Sequence, residues 1–266
     1  MLSYESQYII NLRNILYNGK KELNERTGIV TYRVPSTQII VDLEKEFPIL
    51  QSKKVAWKTA ADEILWMMQK HSNVTAELNS HIWDKWTGDD GTIGKSYGYQ
   101  AGQPARGYKN QVEYVLETLK KDPSNRQCVI NLWNVSELEE MNLVPCAYSS
   151  VWSIIDGKLN CMLVQRSADY PVGVPFDTTE YALLTHMFSK HLKVKPGILT
   201  HVMADSHIYE NQIEGVHKQL DQFGAMKKNQ YPKLQIYKDD FWKMTIDDFE
   251  LLNYEPMPAI KYEVAV

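Results

Sequence analysis

In the stretch NLVPCAYSS a cysteine directly follows a proline, and the first chemical question concerns that thiol. Cys146 stands at the entrance to an expected strand, where a thiol is either a small core group or, once ionised, a nucleophile. A nearby cation decides between these, because a guanidinium favours the thiolate. Arg166 ends a second expected strand, joined to the first through Asp156-Gly157, a pair that favours a two-residue hairpin turn. With the turn centred there, residue i faces about 313 minus i, which brings Cys146 opposite a position near Ala168 and within two residues of Arg166. The thiol and the guanidinium are therefore expected to share a cleft.

Other residues carry a functional and a structural reading side by side. His207 and Tyr209, in ADSHIYENQ, sit two apart near the end of an expected strand and share one face; they are a ligand-binding pair or partly buried residues with satisfied polar tips. Glu63 lies in the apolar stretch DEILWMM. It is an edge residue, or a buried carboxyl with a raised pKa suited to acid-base work. Trp83 and Trp86, in HIWDKW, are core anchors or the walls of a flat heteroaromatic site. Asp177, in GVPFDTTEY, falls at an expected helix start. With Thr178, Thr179 and Glu180 it reads as a capping box; alternatively, its carboxylate reads a ligand. Cys128, Cys146 and Cys161 form no disulfide framework or paired metal motif, so a reducing compartment and no metal are expected.

The elements that must position these groups alternate in type. Tyr8, Leu12, Ile15 and Leu16 recur at helical spacing before Gly19. TGIVTYRV and STQIIVDLE are β-branched strands, and WKTAADEILWMMQKH is a long buried helix. VEYVLETLKK is amphipathic and ends at Asp-Pro. CVINLW, AYSSVWSII and KLNCMLVQRS read as strands, followed by a helix from about Pro175 to Leu192, the strand ILTHVMAD and the helix IYENQIEGVHKQL. The class is α+β with a predominantly antiparallel or mixed sheet, kept as a single domain over 1–266 because no repeat or flexible linker divides it. Basic residues number 29 against 33 acidic, so the charge of −4 offers no bulk attraction to nucleic acid or an anionic membrane. MLSYESQYIINLRNIL lacks a basic segment followed by an apolar run, so neither signal peptide nor anchor is expected and the location is read as cytoplasmic.

RTG, DEILW, HIWDKW, GKSYGYQ, the cysteine of VPC, QRS followed by Asp169, GVPF, DSHIY and a terminal VAV occur in this order over nearly the whole chain. Together they resemble the thymidylate synthase family. The resemblance implies an α+β fold with a mixed sheet and long helices, a homodimer, and 5,10-methylenetetrahydrofolate as cosubstrate for alkylating C5 of a pyrimidine nucleoside monophosphate. It makes Cys146 the nucleophile that adds to C6, which renders C5 carbanion-like. It assigns Arg26, Arg166 and Ser167 to phosphate, with Arg126 reaching the other subunit's site, since an arginine fork engages phosphate oxygens in pairs. His207 and Tyr209 match the ribose pair, and Glu63 and Tyr97 the proton-transfer positions. Trp83, Trp86, Asp169, Gly173 and Val266 match the folate side.

The departures from that family narrow the expectation. Asp177 stands where the family generally has an asparagine, whose amide donates to uracil O4 and accepts from N3–H. Cytosine reverses that pattern, and a carboxyl meets it better than it meets uracil. Asp177 is therefore expected to select cytosine, and the chain to be a cytidylate 5-hydroxymethyltransferase in which water adds to an exocyclic methylene before Cys146 departs. Ala168 stands where a larger Cys or a Ser is usual, which leans the substrate towards CMP over dCMP. Gln127 replaces the second arginine of an Arg-Arg pair, and Ala147 a frequent histidine. The alternatives are a thymidylate synthase acting on dUMP, a cytidylate 5-methyltransferase if a hydride arrives in place of water, and a catalytically silent nucleotide- or RNA-binding relative. The last fits poorly with the intact Cys146, Arg166 and His207 set and the absence of basic excess.

Overall fold

The computed structural model describes residues 1–226 and 230–264, so Val266 lies outside the described residues. Helix α1 (Tyr4–Asn18) is capped by the Ser3 hydroxyl and buries Tyr8, Leu12, Ile15 and Leu16, the spacing its sequence shows. Three strands follow: β1 (Lys20–Asn24), β2 (Ile29–Val34) and β3 (Thr37–Asp42). β1 was not apparent from its sequence, because KKELN is polar and almost wholly exposed; it exists through antiparallel pairing with β2. Then come the buried helix α2 (Trp57–Met68), the single turn α3 (Gly98–Ala101), α4 (Gln111–Lys121) and the short strand β4 (Val129–Asn131). The hairpin of β5 (Ala147–Ile155) and β6 (Lys158–Asp169) precedes α5 (Gly173–Leu192), β7 (Lys195–Tyr209) and α6 (Ile213–Ala225). A small antiparallel pair, β8 (Lys233–Ile236) and β9 (Phe249–Leu252), follows.

The main sheet runs β1-β2-β7-β6-β5-β4, with β3 also paired to β7. It is mixed: β6 and β7 lie parallel, and every other pair is antiparallel. The parallel seam exists because α5 carries the chain from the end of β6 back to the start of β7, and α5 packs on both strands and on α2. Enclosed on nearly every side, α5 is apolar around much of its circumference. One cluster of buried side chains joins α1, α2, α5 and the sheet, with Trp66, Trp152 and Phe188 among its largest members.

The β5–β6 turn is as its sequence suggests: Asp156 and Gly157 both have positive φ, 52° and 67°, the geometry of a tight hairpin. Pairing follows the expected register from Ile155↔Lys158 to Ser149↔Val164, then a bulge between Ala147 and Ser149 shifts it by one residue. The Arg166 amide therefore donates to the Cys146 carbonyl at 2.9 Å, which corrects the expected pairing of Cys146 with a position near Ala168.

Candidate active site

Cys146 sits at the mouth of the hairpin, just before β5. Arg166 fixes the approach to it by donating from Nε to the Pro145 carbonyl at 3.0 Å and from Nη2 to that of Val144 at 2.9 Å. The same Nη2 lies 3.9 Å from Cys146 Sγ, and the guanidinium stacks 5.5 Å from the centre of the Trp133 ring. Burial pushes the thiol pKa up; Arg166 pulls it down, Asp177 pushes it up again and Arg26 opposes that. Cys128 and Cys161 are buried, so Cys146 is the partly accessible thiol.

The Cys146 amide donates to the Tyr97 hydroxyl at 3.0 Å. Tyr97 has φ of 36°, a strained conformation for a residue with a side chain, held between two glycines of GKSYGYQ. A Cβ on Gly98 would meet the Ser72 carbonyl oxygen at 2.0 Å, and one on Gly94 the Glu140 carbonyl oxygen at 2.2 Å. Those close approaches are what the glycines of the motif permit.

Cys146 and Tyr97 open onto a cavity of about 610 Å³, whose walls also include Glu63, Trp83, Trp86 and Asp177. From α2, Glu63 accepts the Trp83 indole N–H at 3.0 Å through Oε1, while its enclosed Oε2 has no partner among the described residues. Burial first, and Asp177 second, raise its pKa well above the usual carboxylate range. Glu180, facing it from α5, is raised for the same reason and leaves Oε1 unpartnered among the described residues.

Asp177 does not cap a helix. α5 begins at Gly173, so Asp177 lies in the second turn, past the orphan amides that a cap would serve. Its Oδ2 instead accepts the Gln165 side-chain amide at 2.7 Å, and burial pushes its pKa up to about 7. The capping-box reading of Asp177 and Glu180 is thereby corrected.

Ser167, Asp169 and Gly173 complete the matched positions on the cavity wall. Asp169 accepts from Gln212 Nε2 at 3.0 Å and from the Val172 amide at 3.3 Å. His207 and Tyr209 share a face as expected, with rings edge to face at 5.2 Å, and His207 meets Asp205 at 3.1 Å. They lie beside the cavity rather than on its wall, near the exposed Arg26, which approaches Tyr209. Arg126 is exposed in the loop before β4 and does not line the cavity. Gln127 is held by the Arg106 guanidinium. Ala168 is fully buried opposite Ser206 of β7 and lines no part of the cavity, so its small side chain does not itself enlarge the wall.

Several site residues were not singled out from the sequence. Gln165 and Glu180 belong to the cavity wall, with Leu143, Val172, Phe176 and Tyr262 as apolar surface. Lys53, almost wholly buried, donates to the Pro171 carbonyl and lies 4.5 Å from the centre of the Tyr262 ring; burial lowers its pKa to about 7. The available signal was a polar residue inside an apolar run, as in CMLVQ and TTEYALL.

A thiol held beside a guanidinium, facing buried carboxyls of raised pKa across an aromatic-walled cavity, is suited to covalent group transfer on a flat ring. The sequence comparisons agree. The thymidylate synthase family model matches residues 6–266. A thymidylate synthase of Clostridium beijerinckii is 42% identical with both chains covered completely, and thymidylate synthase 1 of Bacillus spizizenii is 38% identical over the same full extent. The solved thermostable thymidylate synthase A from Bacillus subtilis superposes with a TM-score of 0.89 at 36% identity, covering 100% of each chain. The chain belongs to the thymidylate synthase family, whose members are folate-dependent one-carbon transferases that use 5,10-methylenetetrahydrofolate on a pyrimidine nucleoside monophosphate. Among the described residues no helix is long and apolar enough to cross a membrane.

Proposed function

We propose that this chain hydroxymethylates cytidylate at C5, with CMP or dCMP as the nucleotide. The observation that carries the reading is the Asp177 carboxyl on the cavity wall, where Gln165 occupies Oδ2 and Oδ1 takes no hydrogen bond from the described residues. A neutral Asp177 can donate from Oδ1 to cytosine N3 and accept the amino group on the second lone pair of Oδ2. If a base leaves either buried partner unmatched, the cost is about 1 to 3 kcal/mol.

The Cys146 sulfur forms the bond to C6, and the electron pair displaced towards C5 makes that carbon nucleophilic. Arg166 holds the thiolate and orients the two carbonyls before it. The cosubstrate supplies a one-carbon unit at the oxidation level of formaldehyde. Its fit rests on the apolar walls of Trp83, Trp86, Leu143, Val172 and Phe176, with the Asp169 carboxyl as an acceptor at the same surface. Glu63, neutral and next to Tyr97 and Trp83, is placed to hand a proton to the reacting base and to receive the one lost from C5. Once C5 has bonded to the one-carbon unit and lost its proton, the bond from that carbon to the folate nitrogen would break, with tetrahydrofolate as the leaving group; water oxygen then bonds to the carbon, giving up a proton, and Cys146 leaves with its bonding electrons as C5=C6 reforms. Phosphate falls to Arg26, Arg166 and Ser167, with Arg126 supplied by a second copy of the chain in a homodimer.

The names of the relatives favour a second reading, in which dUMP is methylated. Mass spectrometry of nucleotides incubated with methylenetetrahydrofolate separates the two. A gain of about 30 mass units on CMP or dCMP is expected, from the formaldehyde equivalent that a covalent C5 adduct transfers. A gain of about 14 on dUMP alone refutes the cytidylate reading. The same assay separates ribo from deoxyribo substrate, and no product from any nucleotide with folded protein refutes both.

A further inference from the structure

His201, in the middle of β7, is fully buried, and both ring nitrogens are engaged. Nε2 lies 2.7 Å from Gln165 Oε1, and Nδ1 lies 3.0 Å from the Thr178 hydroxyl. Gln165 spends its amide hydrogens on the Ser167 carbonyl at 3.0 Å and on Asp177 Oδ2 at 2.7 Å. A chain of contacts thus runs from Thr178 through His201 and Gln165 to Asp177, the residue adjacent to Thr178.

The Ser167 carbonyl sets the direction of that chain. Were the Gln165 amide reversed, its oxygen would face the Ser167 carbonyl oxygen, two acceptors in contact. The nitrogen therefore points to Ser167 and Asp177, and the oxygen must accept from His201. His201 in turn carries its hydrogen on Nε2, and its Nδ1 faces the Thr178 hydroxyl, whose single hydrogen goes to the Val174 carbonyl at 2.7 Å. Burial holds the ring neutral, its pKa lowered to about 3, so it carries a single hydrogen across the working range.

The consequence falls on a carboxyl that is otherwise symmetric. A neutral carboxylic acid has one donor and one acceptor oxygen, and exchanging them exchanges the base pattern it complements. The donor opposite N3 matches cytosine, and the donor opposite the 4-substituent matches uracil. We propose that His201 is a specificity-determining positioning residue: through Gln165 it keeps Asp177 Oδ2 an acceptor and so assigns the ligand-facing proton to Oδ1. The proposal rests on Asp177 reading the base, as argued above. The ionisable groups that face Asp177 are Glu63 from α2, Tyr97 and Cys146 from the loops, Asp169 at the end of β6, and Glu180 and Tyr181 from α5. None of these donates to Oδ2.

The test uses the intact enzyme and measures kcat/KM against pH for CMP, dCMP and dUMP in wild type, His201→Phe, His201→Gln and Thr178→Val. Losing the amide donor from a carboxylate raises its pKa, so the limb that reports Asp177 ionisation is expected to move up by about one pH unit in His201→Phe. The cytidylate-to-uridylate ratio of kcat/KM is expected to fall about tenfold, the size of one misplaced hydrogen bond. His201→Gln keeps an N–H at similar reach and restores both values. Thr178→Val shifts them in the same direction by less, and carries the test if His201→Phe does not fold. A uniform loss of kcat/KM, with limb and ratio unmoved, overturns the proposal and leaves His201 a core residue. If the wild type accepts only dUMP, the cytidylate reading fails, while an unmoved limb with dUMP still refutes the role of His201 and a moved one supports it.

Discussion

Replacing Asp177 by asparagine exchanges a single oxygen for a nitrogen, and its effect on stability follows from the site. The carboxyl has its pKa raised from 3.8 to about 7 by burial, with Gln165 opposing and Asp169 reinforcing. An acid whose pKa is higher in the folded than in the unfolded state is favoured by folding in its protonated form. Its contribution is therefore largest below about pH 4 and is lost as the pH rises towards 7. A shift of about three pH units corresponds to roughly 4 kcal/mol, and water entering the cavity reduces that to about 2 to 4 kcal/mol. The Asp177→Asn side chain carries no such loss, and its carbonyl can still accept from Gln165. Urea unfolding of both proteins at one fixed protein concentration, from pH 4.5 to 8.5, is the assay. The variant is expected to gain stability relative to wild type as the pH rises, by about 2 to 4 kcal/mol at pH 8, and to shift turnover from cytidylate towards uridylate. A stability difference that does not change with pH would falsify the claim that burial raises the Asp177 pKa, whatever the activity shows.

Two further outcomes follow from the geometry around Cys146. Arg166→Lys removes the paired contacts to Val144 and Pro145 and moves the charge from Sγ, so the pH midpoint for iodoacetamide labelling of Cys146 is expected to rise by about one unit; a midpoint unchanged or lower contradicts the electrostatic role. Gly98→Ala drives a methyl group into the Ser72 carbonyl and is expected to cost more than about 2 kcal/mol in urea unfolding and over tenfold in kcat by displacing Tyr97; a silent substitution would show that the turn yields freely.

Much of this architecture was readable because local chemistry and global position agree. Asp156-Gly157 announces its turn, α1 and α4 announce themselves by apolar spacing, and the hairpin arithmetic brings Cys146 towards Arg166. The arithmetic slips by one residue because a bulge near Tyr148 is set by tertiary fit and leaves no turn residue to mark it. Asp177 was ambiguous because the true start of α5, Val172-Gly173, lacks a side-chain cap, whereas Asp177 and Glu180 have the spacing of one. His201 passed unnoticed for a different reason: a lone histidine in an apolar strand has no pattern until its two partners, at positions 165 and 178, are folded against it. The parallel seam was equally hidden, since a strand's sequence does not declare the direction of its neighbour.

That seam makes β6, α5 and β7 a βαβ unit set into an otherwise antiparallel sheet. Such units place ligands beyond the carboxyl ends of their strands, where the crossover helix begins. The connection from Asp169 to Gly173 is clamped on separate sides: the Tyr8 hydroxyl on the Tyr170 carbonyl, Lys53 on that of Pro171, and the Tyr170 amide on the His207 carbonyl. Those clamps set the phase of the helix. One residue added to the connection would rotate Asp177 by about 100° about the axis of α5, away from Gln165, while Cys146 and Arg166 on the hairpin stayed in place. Asp177 and the Cys146–Arg166 pair are thus mounted on separate pieces of chain, so a change in the phase of one helix moves the first and leaves the second where it stands.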